Sequence, residues 1–193
     1  MRDNRFNKQE TPLNNCFQLN QHDTVYQGKL IDLTVDRITT ASGIQAVREV
    51  VVHPGGAAVL PVFPNGDVLL VEQFRYPMRR ALLELPAGKI ETGELPEETA
   101  ARELEEEVGY RAGRLEKLGA FYTTPGFCTE LLHLFLARDL QPGRSGGDED
   151  EELLVHRYSL NELHRLVRLG EIVDAKTLIG LHFLLVDSAE QEP

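Results

Sequence analysis

The chain reads as an α+β protein, an α-β-α sandwich on a mixed β-sheet, and three observations carry that reading. β-rich runs fill most of the first ninety residues; the apolar spacing then turns helical near residue 96; and two more helical stretches close the chain after further strands. At 193 residues the chain is long enough for one domain with a substantial core and cramped for two.

Residues 1–22 are polar and without periodicity, which predicts a mobile N-terminal arm. Residues 23–53 form an N-terminal strand region, with alternation clearest in Lys29-Leu30-Ile31-Asp32-Leu33-Thr34-Val35. The main domain is expected over 54–188. Its first two strands, 57–63 and 67–73, are joined by Pro64-Asn65-Gly66, and Asn-Gly between apolar runs signals a hairpin. A short strand follows at 82–85. From Pro96 to Val108 the apolar residues Ala100, Ala101, Leu104 and Val108 keep helical spacing. Pro96 suits the first turn, Glu97 and Glu98 the positive end of the dipole, and Gly109 the stop. Strands are expected at 115–122 and 131–137, then a loop rich in glycine and acid at 141–152. Ser159-Leu160-Asn161-Glu162 is a capping box opening a helix that Gly170 ends, and a last apolar helix runs over about 175–185.

The composition is that of a soluble globular chain, 41% hydrophobic and 26% charged. No apolar run approaches the roughly 18 residues of a membrane span; the richest, Val50 to Phe63, is broken by His53, Pro54, Gly55 and Gly56. The N-terminus lacks the apolar core of a secretory signal, and the two cysteines, Cys16 and Cys128, make no disulfide framework, so a reducing cytoplasm is expected. A net charge of −11 with no basic stripe argues against nucleic-acid partners, and nothing suggests a membrane partner. The acid is concentrated at 91–107 and 148–152.

Glu103, Glu106 and Glu107 stand at i, i+3 and i+4 on the predicted helix and so share a face, with Leu104 and Val108 pointing away. Like charges at this spacing repel by roughly 0.2–0.5 kcal/mol per pair. Hard divalent cations take several carboxylate oxygens, and Mg²⁺ is commonly completed by water and phosphate. Taken alone, a solvated acidic face is the commoner reading of such a triplet.

The surroundings change that reading. The order is Gly88, five residues, Glu94, seven residues, Arg102-Glu103-Leu104, one residue, Glu106-Glu107, one residue, Gly109. This resembles the Nudix signature at every defining position from Gly88 through Gly109; the departure is Tyr110, where an aliphatic residue is usual. The resemblance implies a Nudix fold, with a mixed β-sheet and a loop-helix-loop catalytic motif preceded by a small N-terminal β region. It implies Mg²⁺, with Mn²⁺ able to substitute, and hydrolysis of a nucleoside diphosphate joined to another group. By resemblance Glu103, Glu106, Glu107 and the carbonyl of Ala87 are metal ligands. Glu106 and Arg102 then have catalytic roles, Arg102 through a bracing pair with Glu94. Metal ions suit the task because a diphosphate is anionic and resists attack by water. No nucleophile-histidine arrangement is evident, and His53, His133 and His156 read as structural.

Phe121-Tyr122-Thr123-Thr124-Pro125-Gly126-Phe127-Cys128-Thr129-Glu130, with Pro125 fifteen residues past Tyr110, is similar to the ADP-ribose pyrophosphatase subgroup. That likeness implies substrate contacts from Gly126, Glu130, Arg48 and Arg75, the arginines by bidentate grip of phosphate. It also implies a flexible acidic loop before Val155-His156, with Glu149 as base and Glu151 as a further ligand; the register within 148–152 stays open. Members of the subgroup are usually homodimers that exchange N-terminal strands, a role open to 24–46 here. The signature reads only the diphosphate, so another nucleotide sugar of the GDP-mannose or ADP-glucose type, and a sensor that binds ADP-ribose without cleaving it, are the rival readings.

Overall fold

The computed structural model describes residues 16–144, 146 and 153–189, with side chains to residue 184. Residues 1–15, most of the predicted arm, lie outside the described residues. The chain divides into two compact units, one reaching to His53 and including Thr124–Thr129, the other comprising Pro54–Thr123 and the chain from Glu130 onward.

The first unit is an antiparallel sheet of β1 (Phe17–Gln27), β2 (Asp32–Thr40) and β3 (Gln45–Val52), in that order. The predicted arm therefore ends sooner than residue 22. β1 starts at Phe17 and pairs with β2 from Phe17↔Thr40 to Gln27↔Asp32. Every residue of β1 except Asp23 is exposed, so backbone pairing rather than burial holds it, and no alternation marks it in the sequence. Thr124–Thr129 joins this unit through Val51 N–H on the Phe127 carbonyl (2.8 Å) and Thr129 N–H on the Val51 carbonyl (3.0 Å). Thr124, Pro125 and Gly126 thus belong to the first unit, outside the main domain expected over 54–188.

The second unit carries β4 (Gly56–Pro61), β5 (Val68–Arg75), β6 (Arg80–Glu84), β7 (Ala87–Lys89), α1 (Pro96–Val108), β8 (Tyr110–Tyr122), β9 (Leu131–Pro142), β10 (Leu153–Tyr158), α2 (Leu160–Leu169) and α3 (Ala175–Ala189). A four-stranded sheet runs β7-β4-β9-β8, and a three-stranded one runs β10-β5-β6. β4 and β9 are parallel while their other neighbours are antiparallel, so the larger sheet is mixed, as expected. Both of its faces are covered. Ala57, Val59, Phe135 and Ala137 meet Ala100, Leu104 and Val108 of α1. Ala58, Leu60, Leu132, Leu134 and Leu136 alternate with them and pack with Val68 and Leu70, with Leu163 and Leu166 of α2, and with Leu181 and Leu184 of α3. None of the helices is long and apolar enough to cross a membrane, among the described residues.

The Asn65-Gly66 turn forms. Phe63 N–H donates to the Asp67 carbonyl at 2.9 Å, and Gly66 adopts φ +86°. The strands it joins bridge only at Val62↔Val68 and then enter different sheets. β4 is buried on both sides along its length, and its edges are taken by β7 and β9, which leaves no place for β5. α2 has the predicted capping box, Ser159 N–H on Glu162 at 2.8 Å, and ends at Gly170 with φ +71°. β7 was not foreseen; three residues are too few to show a period.

Leu104 is fully buried and is the side chain by which α1 seats its carboxylate face. Leu104→Ala is expected to lower unfolding stability by roughly 2–5 kcal/mol, read as a shift in the urea midpoint with an unchanged slope.

Candidate active site

β7 brings Ala87 and Gly88 beneath α1, held by Ala57↔Gly88 and Ala58↔Ala87 pairing with β4. α1 opens at Pro96, where Glu98 accepts the Leu95 N–H at 2.8 Å, and Gly109 closes it at φ +73°. Its face toward β7 holds Glu103 and Glu107, each 8% exposed, while Glu106 stands more open to solvent. Glu107 Oε2 accepts the Ala87 N–H at 3.1 Å. Glu103 lies against Gly88 so closely that a Cβ at residue 88 would fall 1.8 Å from Glu103 Oε1. Here the signature glycine is a steric requirement: any side chain would evict the carboxylate.

Arg102 answers the repulsion among these acids. Its Nη1 donates to Glu103 Oε1 (2.7 Å) and Glu106 Oε2 (2.9 Å), and its Nε to Glu94 Oε1 (3.0 Å). Thr99 Oγ1 donates to Glu94 Oε2 at 2.7 Å. The Arg102 hydrogen bond, opposed by desolvation and helped by Thr99 and the Glu91 backbone, brings the Glu94 carboxyl down to about 2. Glu94 in turn holds Arg102 charged well above the ordinary arginine range. The Glu94–Arg102 brace is present as placed, and Arg102 also reaches across the acidic face.

The donor set is hard oxygen, which suits Mg²⁺, and the Gly88 cradle places one carboxylate against backbone. As placed, no three acidic, imidazole or thiol side chains converge to hold an ion among the described residues. Two of the three glutamates point at Arg102 instead. The residues fit the metal in kind, and Arg102 occupies one oxygen each of Glu103 and Glu106.

The remaining site expectations fall in several places. Arg75, at the end of β5, does form a bidentate grip, but on Glu84: Nε to Oε1 at 2.7 Å and Nη2 to Oε2 at 2.8 Å. The edge expected to clasp phosphate is engaged by a protein carboxylate. Lys176 also binds Glu84 Oε2 and sits 3.1 Å from Asp174. Burial pushes the Glu84 carboxyl up, and the Arg75 hydrogen bond with the Lys176 charge outweighs it and holds the group below its usual range. Arg48 lies on β3 in the first unit, donating to its own neighbour's carbonyl, Val47 O, at 2.9 Å. Gly126 belongs to that unit as well, whereas Glu130 belongs to the second and accepts from Thr123 Oγ1 at 2.6 Å. Glu149 and Glu151 lie outside the described residues.

Of the histidines, His156 pairs with Glu72 (2.8 Å) and the His53 N–H meets Thr129 Oγ1 (2.9 Å). His133 has a buried Nδ1 without a partner, and burial, then Lys117, lowers its pKa. Glu84, Lys176, Asp174 and Thr177 were not singled out in the sequence. The signal for Glu84 was a lone charge inside Leu82-Leu83-Glu84-Leu85, an unusual place for an acid without a partner.

Glu94 carries a pH prediction. Its carboxyl titrates lower folded than unfolded, so its stabilising contribution is present above the ordinary value of 4.5 and is lost as pH falls toward 2. Melting temperatures should therefore drop over that window, and Glu94→Gln should flatten this part of the profile while lowering the plateau.

Comparison with known proteins bears on the same region. A family model described as NUDIX domain matches residues 52–178. An ADP-ribose pyrophosphatase of Bacillus subtilis (strain 168) is 44% identical over 171 residues, covering 88% of this chain and 92% of the relative. A GDP-mannose pyrophosphatase of Yersinia enterocolitica serotype O:8 / biotype 1B (strain NCTC 13174 / 8081) is 36% identical over 166 residues, covering 80% and 86%. A crystal structure of an ADP compounds hydrolase superposes with a TM-score of 0.78 at 25% identity, covering 90% of this chain and 94% of that one. A domain match along most of the chain, joined to 44% identity over nearly its full length, places this protein in the Nudix domain family.

Proposed function

We propose that this chain hydrolyses the pyrophosphate linkage of ADP-ribose, releasing AMP and ribose 5-phosphate, or that of a closely related nucleoside diphosphate sugar. One observation carries the proposal: the complete acidic face of α1, with Glu103 docked against Gly88 and Glu107 bound to the Ala87 backbone. The similarity to an ADP-ribose pyrophosphatase supports ADP-ribose as the first choice.

Glu103, Glu106, Glu107 and the Ala87 carbonyl are the groups to hold Mg²⁺, or Mn²⁺ in its place. When bound, the metal neutralises diphosphate charge and lowers the pKa of a bound water. The chain itself supplies position and proton handling. α1 keeps the carboxylates on one rigid face, and Glu94 retains Arg102 when the carboxylates turn to other partners. Glu106, the most open of the three, stands at the solvent side of that face. Within 148–152, Glu149 as proton acceptor and Glu151 as a further ligand complete the proposal. Arg48, Arg75, Glu130 and Gly126 are proposed to contact substrate. The working form is proposed to be a cytoplasmic homodimer, supported by a sequence with only two cysteines and no disulfide framework and by the exposed Phe17, Leu19, Val25 and Tyr26 of β1.

A second reading, preference for a GDP-mannose-type substrate, is favoured by the similarity to a GDP-mannose pyrophosphatase. Incubation with ADP-ribose, ADP-glucose and GDP-mannose in the presence of Mg²⁺, with products separated by chromatography, tests both. ADP-ribose should be cleaved fastest; faster GDP-mannose turnover would favour the second reading. Binding of ADP-ribose with no cleavage of any of the three would make the chain a sensor.

Two substitutions probe the acidic face. Glu106→Gln should reduce kcat on the order of 10²-fold or more with an unchanged melting temperature, because it removes charge where the diphosphate reacts. Gly88→Ala should displace the Glu103 carboxylate and weaken Mn²⁺ binding by about 10–100-fold, read by electron paramagnetic resonance on the purified chain.

A further inference from the structure

Glu84 is the most buried carboxylate among the described residues, at 2% exposure, and it lies away from the α1 acidic face in sequence and in bonding partners. It accepts from Arg75 Nε and Nη2 on one side and from Lys176 on the other. Lys176 is shared with Asp174. Asp174 Oδ2 caps α3 by accepting from Thr177 N–H (2.9 Å) and Oγ1 (2.6 Å), and Thr177 Oγ1 accepts the Leu85 N–H at 2.8 Å. One connected set of bonds therefore runs from the start of α3, past the end of β6, to the guanidinium at the end of β5.

Two acids and two bases balance here, yet stability alone explains the set poorly. Buried ion pairs replaced by well-packed apolar groups are often neutral or more stable. Its mechanical effect is clearer. A flexible arginine is fixed by two parallel bonds to an acid that is itself tethered twice. That grip uses Nε and Nη2, leaving Nη1 outside the fork. Glu84, which holds the fork, ends β6 just before Pro86 and Ala87, and the Ala87 N–H donates to Glu107 Oε2 at 3.1 Å, so a short length of chain joins the pinned guanidinium's anchor to the floor of the acidic face.

We propose that Glu84, clamped by Lys176 and the Asp174–Thr177 cap, is a positioning residue that fixes Arg75 so that its Nη1 donates to a phosphate oxygen of the diphosphate beside the α1 carboxylates. The inference rests on the substrate class proposed above and adds to it a monodentate, pre-set arginine contact in place of a bidentate one. Pre-setting removes the ordering that a free arginine undergoes on binding, and its loss falls on substrate affinity.

A double-mutant cycle on Glu84→Gln and Arg75→Ala tests it, with kcat and KM for ADP-ribose at saturating Mg²⁺ normalised to folded protein by circular dichroism. Each single variant should raise KM about tenfold with kcat changed less than threefold, and Glu84→Gln should add less than twofold in the Arg75→Ala background. Independent, multiplying effects would overturn the positioning role. So would an unchanged kcat/KM in either single variant, even with a lower melting temperature. Glu84→Asp, which keeps the charge but draws the carboxylate back by one methylene, should raise KM in the same direction if Glu84→Gln does not fold; an unaltered KM would overturn the role. ADP-ribose affinity by calorimetry should follow the same pattern. A parent chain that binds ADP-ribose without cleaving it would sink the hydrolase reading while this pattern upheld the arginine contact.

Discussion

Three carboxylates within little more than one turn of α1 repel one another, and much of the second unit near them acts to keep them there. The helix cannot turn them away, because Leu104 and Val108 on its other side are packed against Ala57, Val59, Phe135 and Ala137. The carboxylates are received by a short strand whose backbone donates to Glu107 and whose glycine leaves room for Glu103. Their charge is met by one guanidinium, Arg102, which is itself retained by Glu94 and Thr99. Packing fixes the direction of the face, backbone fixes its floor, and Arg102 offsets part of its charge by bonding Glu103 and Glu106.

The parts of this arrangement that are local in sequence were legible from it. Pro96, Glu97, Glu98 and Gly109 mark the ends of α1, and the spacing of Leu104 and Val108 against Glu103 and Glu107 assigns its two faces before any coordinates are known. The Asn65-Gly66 turn was legible for the same reason, but its consequence was not. Whether two strands stay paired after a turn depends on which neighbours claim their edges, and β4 is claimed by β7 and β9, strands distant or too short to recognise. β1 was missed because it is held by backbone pairing with water on both faces, and alternation records only one-sided burial. The acids at 148–152, legible as composition, lie outside the described residues.

Arg75 shows how a residue can be singled out for its chemistry while its partner in the fold stays hidden. A guanidinium at the end of a strand suggests phosphate. Nothing near it in sequence says that its fork is filled from β6 and held from the start of α3. That partner could be suspected only from its own oddity, a charge within an apolar run. A buried acid in such a place must be met by cations or leave the charged state, and here two cations meet it.

The two arginine clusters handle charge in opposite ways, and the difference follows from burial. Around Arg102 three acceptors share one guanidinium that is itself partly open to solvent, as is Glu106, so one partner can be exchanged while the others hold. Around Glu84 the acid is almost wholly enclosed, and removing either cation would leave it underpaired where water cannot compensate. The first cluster is therefore suited to rearrange and the second to stay fixed. A site that accepts a charged diphosphate with its counter-ions has use for both: acids that share a guanidinium with other acceptors, and an arginine held in place by a buried carboxylate.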